Sequence, residues 1–189
     1  MEETTGKTAL PFPAQEIRFT VETRHDTRAM TAMARALRRT LRKKHSRVSH
    51  IAGWTLVVLA LLLLLPRDGK PFVLNAAAVV NLLAAAAITA ALLWEDRING
   101  WAAARRILPG TGTGVTCFAD DCYRAVFPVG KSEWQYSAIV QAAETKEYFV
   151  LIFSQNHAQV YPKAGFTTGT PAEFRSFLAE KTGKSIPKV

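Results

Sequence analysis

The residues able to do chemistry in this sequence are few, and spacing is the first test of each. There are four histidines, His25, His45, His50 and His157. None forms the H-x-x-x-H or HExxH pair that puts two imidazoles on one helix face for a metal. Cys117 and Cys122 make a lone C-x4-C with no second pair and no histidine at ligand spacing. They read as two free thiols flanking a turn, not a zinc site. Residues 110–114, G-T-G-T-G, have the glycine density of a phosphate cradle. They lack the GK[ST] ending and lead into an extended stretch instead of a helix, which fits a linker. Asp120 and Asp121 form an acidic pair that turn chemistry explains. Ser49 and His50 are sequence neighbours, which a helix would place on different faces. No nucleophile–base pair, ligand set or cofactor motif survives. The expectation is a protein that is not an enzyme, with no catalytic, cofactor-binding or metal residues.

What remains is positive charge. The net charge is +9, and much of it sits in one short segment holding Arg35, Arg38, Arg39, Arg42, Lys43, Lys44 and Arg47. Nucleic acid is an unconvincing partner, because no aromatic platform interleaves these cations. They run directly into an apolar stretch, which makes anionic lipid head groups the simpler partner.

That stretch is the element around which the rest is arranged. Residues 51–65 carry no charged side chain and end in five leucines; residues 71–94 again carry none. A membrane-crossing helix needs about 20 mostly apolar residues. The second run has that length alone, and the first reaches it if residues 48–50 form its interfacial start. The expectation is a transmembrane hairpin over 48–94, with spans at 48–65 and 71–94. Lys and Arg near span ends stay cytoplasmic. The basic segment before the first span, and Arg97, Arg105 and Arg106 after the second, therefore put both termini inside and a short loop outside. The alanines at 84–87 would let helices approach closely, in the hairpin or in a homo-oligomer.

The flanking regions must supply the rest. Residues 1–14 read as a disordered tail. Residues 15–22 alternate, with Ile17, Phe19 and Val21 on one side, as a half-buried strand does. A lone strand needs a partner, and only the C-terminal part can provide one. Residues 26–47 read as an amphipathic stem helix with Met30, Met33, Leu37 and Leu41 on one stripe; it sets topology and could lie on the inner leaflet. Residues 95–109 extend the second span. Residues 110–189 read as about six strands in a meander, followed by a helix over 171–182 that opens with a Thr170–Glu173 capping box. The fold class is a two-helix transmembrane hairpin plus a small antiparallel barrel or sandwich of about seven strands with a C-terminal helix. Arg124, Lys131, Lys146 and Lys163 lie near turns of this domain and are its candidate ligand-binding residues.

This order of elements resembles the YcxB-like family of bacterial membrane proteins. The local likeness runs from Trp134 to Phe177: the tryptophan ahead of Ile139, the turn from Glu144 to Tyr148, Tyr161-Pro162-Lys163 before Phe166, and Phe174 and Leu178 on a helix. The chain departs from that pattern at Pro128-Val129-Gly130 and Asp120-Asp121-Cys122, where a glycine-containing turn is more usual. The resemblance implies a cytoplasmic domain of pleckstrin-homology type and an inner-membrane location, and it transfers no site. Two functions follow as expectations. One is a membrane-anchored module that recognises a lipid head group or a protein partner; the other is an accessory subunit acting through its hairpin.

Overall fold

The structure, a computed structural model, describes residues 17–65 and 74–189. The tail expected over 1–14, the first residues of the 15–22 strand and the loop between the apolar runs lie outside them. The elements in chain order are β1 (Phe19–Arg24), α1 (Thr27–Arg39), α2 (Lys43–Leu62), α3 (Ala76–Leu93) and α4 (Glu95–Ala104). Then come β2 (Thr113–Phe118), β3 (Cys122–Phe127), β4 (Gly130–Gln135), β5 (Gln141–Glu144), β6 (Tyr148–Ile152), β7 (Ala158–Pro162), β8 (Phe166–Thr168) and α5 (Pro171–Thr182).

The strands make two antiparallel sheets, one ordered β4-β3-β2-β1-β8 and one ordered β5-β6-β7. Among the described residues no ladder joins them, so of the expected barrel or sandwich there is no closed barrel but two open sheets. The expected seven strands become eight, because Phe166–Thr168 adds a short strand to the free edge of β1. Three residues are too few to show an alternation in sequence.

β6 explains how the layers stack. Its sequence, YFVLI, is apolar throughout because both faces are covered. Phe149 and Leu151 point into the core between the sheets, which α5 closes with Phe174, Phe177 and Leu178. Val150 and Ile152 point the other way, onto Ala29, Met30, Ala36 and Leu37 of α1. Alternate side chains thus serve two cores. The apolar stripe of α1 is therefore spent on the three-stranded sheet, which corrects the reading of this helix as one lying on a leaflet. The 26–47 segment is also not one helix. α1 ends at Thr40, whose hydroxyl bonds back to the Ala36 carbonyl at 2.6 Å, and α2 starts afresh at Lys43.

α2 and α3 pack against each other through small residues. Gly53 lies so close to Leu92 that an added Cβ would sit 2.9 Å from its methyl carbons. Ala78 and Ala85, seven apart on α3, are buried, while Val80, Leu82 and Leu83 are exposed. α3 is long and apolar enough to cross a membrane. α2 falls short of the length expected for the first span: its helix stops at Leu62, and its uncharged part begins only at Val48. At 1.5 Å per residue that is roughly 22 Å against a hydrocarbon core of about 30 Å.

Asn75 opens α3, its side chain accepting from the Ala78 amide at 2.9 Å, and the helix ends at Trp94, where α4 begins. α4 packs on α1, and Gly100 permits it: a Cβ there would lie 2.5 Å from the Thr31 Cα. The chain then returns to β2, which pairs with β1. Thr23 Oγ1 donates to the Gly114 carbonyl at 3.0 Å across 91 residues of sequence. The G-T-G-T-G stretch is this return, and it leads into a strand, so it is no helix-capped phosphate loop.

Candidate functional site

The charged residues of α1, α4 and the start of α2 sort into those already satisfied and those left open. Arg38 makes two parallel bonds to Asp96, at 2.6 and 2.7 Å, and Arg35 approaches the same carboxylate at 3.5 Å. Burial works to raise the Asp96 pKa, but the bonds and charges from Arg38 and Arg35 outweigh it and hold the carboxyl below its ordinary value. Arg42 donates to the Gln155 carbonyl and to Asn156 Oδ1, each at 2.6 Å, and so ties the α1–α2 corner to the β6–β7 loop. Three of the seven cations in the basic segment therefore hold the helices to one another and to the sheet.

The other four, Arg39, Lys43, Lys44 and Arg47, are exposed and form no ion pair among the described residues. Lys43 and Arg47 are one helical turn apart and share a face. With Arg39 and Lys188 they line a groove of about 430 Å³ at the α1–α2 corner. The uncharged part of α2 begins at Val48, one residue beyond Arg47.

A second, larger concavity lies along the α1–α4 pair. It measures about 560 Å³ and is walled by Arg28 and Arg35 of α1, Arg97 and Trp101 of α4, Lys146 of the β5–β6 turn and Tyr148 at the start of β6. The turn is fixed locally: the Tyr148 amide donates to Thr145 Oγ1 at 2.9 Å, and the Thr145 amide to the Tyr148 carbonyl at 2.8 Å.

The four candidate ligand residues of the β domain do not gather. Arg124 bonds Glu133 at 2.6 Å, its partner directly across β3 and β4. Lys131 stands farther along β4, opposite Val126. The Lys163 backbone reaches the β5–β6 turn, its amide donating to the Glu147 carbonyl at 2.8 Å, but its ammonium turns to Glu144 at 2.5 Å. Arg175 bonds the second oxygen of Glu144 at 2.9 Å. Of the four, Lys146 lines the α1–α4 cleft, as does Arg35. Sequence reasoning did not select Arg28, Trp101, Tyr148 or Lys188 for a site. The seven-residue spacing of Arg28 and Arg35 and the four-residue spacing of Arg97 and Trp101 were the visible signals. Their meeting depends on the α1–α4 pairing, which no local pattern announces. Cys117 and Cys122 are both free and buried, where desolvation pushes both thiol pKa values up. No cluster of metal-ligating side chains occurs among the described residues.

The architecture defines an α+β domain of two antiparallel sheets, carried on a helical excursion that includes one helix of membrane-crossing length. Residues 123–178, from β3 into α5, match the family described as YcxB-like protein, so this segment is YcxB-like in sequence. It covers the three-stranded sheet and β3, β4 and β8 of the five-stranded one, and leaves β1, β2 and the helices α1 to α4 outside the match. No curated protein and no solved structure matches the chain.

Proposed function

We propose that this chain is a cell-membrane protein with both termini cytoplasmic, held by the α2–α3 hairpin. Its cytoplasmic domain, of pleckstrin-homology type, works as a binding module for anionic lipid head groups. The observation that carries this is the groove formed by Arg39, Lys43, Arg47 and Lys188. Arg39, Lys43 and Arg47 form no ion pair among the described residues, and they stand where α2 turns from basic to apolar, the level at which phosphates of an inner leaflet would lie. Each cation near an anionic surface contributes about 1 kcal/mol. The apolar faces of α3 support the anchor, since a soluble monomer rarely exposes a continuous apolar patch of this kind. α2 reaches the far side of the bilayer through local thinning and the further leucines at 63–65.

The test is lipid retention. The full chain is purified in mild detergent, and its bound lipids are quantified by mass spectrometry beside Arg39→Gln/Lys43→Gln/Arg47→Gln. The wild-type chain should retain anionic lipid above its membrane abundance, and the triple variant should lose that enrichment. Equal retention by both sinks the reading. It then favours the alternative, an accessory subunit whose hairpin associates with other membrane proteins and is indifferent to lipid charge.

A further inference from the structure

The cleft along the α1–α4 pair differs in kind from the groove at the membrane-proximal corner, and the geometry points to a second site there, for a soluble phosphorylated ligand that carries a planar ring. Four cations, Arg28, Arg35, Arg97 and Lys146, arrive from three separate elements on one concave surface, against a single lining carboxylate, Glu147. Arg28, Arg97 and Lys146 have no ion pair among the described residues. Arg35 has only the longer approach to Asp96, an anion already taken up bidentately by Arg38. Cations on a solvated convex face spread apart. Held in a concavity by packed helices, they repel one another, and a multiply charged anion removes that repulsion. Guanidinium groups suit phosphate oxygens because their planar fork can make two bonds at once.

The ring is called for by the other two walls. Trp101 and Tyr148 line the same cleft as the cations, and an aromatic face gains by stacking on a planar partner. The indole is already oriented: Arg105, which does not line the cleft, places its guanidinium 3.7 Å from the centre of the Trp101 ring. The volume, about 560 Å³, falls in the range of pockets that enclose small molecules, roughly 300–1,000 Å³. A nucleotide has both features. Inorganic pyrophosphate has only the charge, adenosine only the ring, and a phosphatidic acid head group the charge on a lipid.

The experiment titrates the full chain in neutral detergent with ADP, pyrophosphate, adenosine and a short-chain phosphatidic acid, each followed by calorimetry. ADP should bind saturably and at least about tenfold more tightly than pyrophosphate or adenosine, because it uses both parts of the site. Arg97→Gln and Lys146→Gln should each weaken ADP by about tenfold. Trp101→Leu should weaken ADP and leave pyrophosphate unchanged. Thermal melting of the ligand-free variants should match that of the parent chain, which separates loss of binding from loss of fold. Absence of saturable ADP binding, ADP binding indifferent to both cation variants, or phosphatidic acid outcompeting ADP would each overturn the proposal. The triple variant at Arg39, Lys43 and Arg47 should bind ADP normally, so this site and the lipid groove fail separately.

Discussion

The two most apolar regions of this protein use opposite strategies for keeping water away. Between the sheets, the core is made of rings. Phe174 of α5 stands at its centre, with ring-centroid distances of 5.2 Å to Phe19, 4.7 Å to Phe118, 5.3 Å to Phe149 and 5.0 Å to Phe166. All four pairs meet edge to face, the arrangement that aromatic quadrupoles favour. The α2–α3 hairpin holds leucine, valine and alanine instead, seals only a thin seam at Gly53, Val57, Ala78 and Ala85, and turns its larger side chains outward. The first region specifies one geometry and supplies its own cover. The second specifies little beyond close approach of two helices and leaves its cover to the surroundings.

The strongest way to break this comparison is to empty the centre of the aromatic core. Phe174→Ala should cost about 3–5 kcal/mol, as deletion of a fully buried phenylalanine does. Thermal melting of the full chain in detergent should show the β-sheet transition fall sharply while the helical signal of the hairpin persists. Simultaneous loss of both would mean that the two regions form one cooperative unit.

Glu144 gives a smaller effect at the edge of the same domain. It is a nearly buried carboxylate that accepts from Lys163 and Arg175, and Arg175 also holds the Ile186 carbonyl at 2.9 Å. Burial works to raise its pKa; the bonds from Lys163 and Arg175 outweigh that and hold it below the ordinary carboxylate value. A carboxyl whose folded-state pKa is depressed contributes stability above its unfolded value, and that stability is lost as pH falls through the folded one. Glu144→Gln should therefore cost about 2 kcal/mol near neutral pH, less than a wholly buried pair because Arg175 is part-exposed. The gap between variant and parent melting temperatures should narrow as the pH is lowered toward 3. A gap that stays constant would show that packing, and not charge, sets the effect.

At the small end, Leu83→Ala on the outward face of α3 should change the melting of the β domain by no more than about 0.5 kcal/mol. A larger loss would show that this face is covered by protein after all.

How far the sequence disclosed all this follows from range. Signals within one element were legible: the capping box from Thr170 to Glu173 is present in both directions, the uniform apolarity of β6 marks a central strand, and the stripe of α1 is real. The destination of that stripe was not legible, because a three-stranded sheet and a leaflet look alike to an amphipathic helix. The end of α2 was hidden as well, since a run of leucines does not show where helical hydrogen bonding stops. The cleft was the least visible feature. Arg28 and Lys146 lie far apart in the chain and line one cleft because α1 packs on the three-stranded sheet, and Gly100 lets α4 close on α1 to add Arg97 and Trp101.

The pairing of β1 with β2 bears on how the protein is made. β1 leaves the ribosome first, and its partner follows only after both apolar runs and the return helix have been synthesised. At translation rates of about 5–20 residues per second, the 91 residues from Thr23 to Gly114 take roughly 5–18 s. During that interval Phe19 and Val21 have no sheet to enter. Completion of the five-stranded sheet thus waits until the whole helical excursion, α1 to α4, has been made.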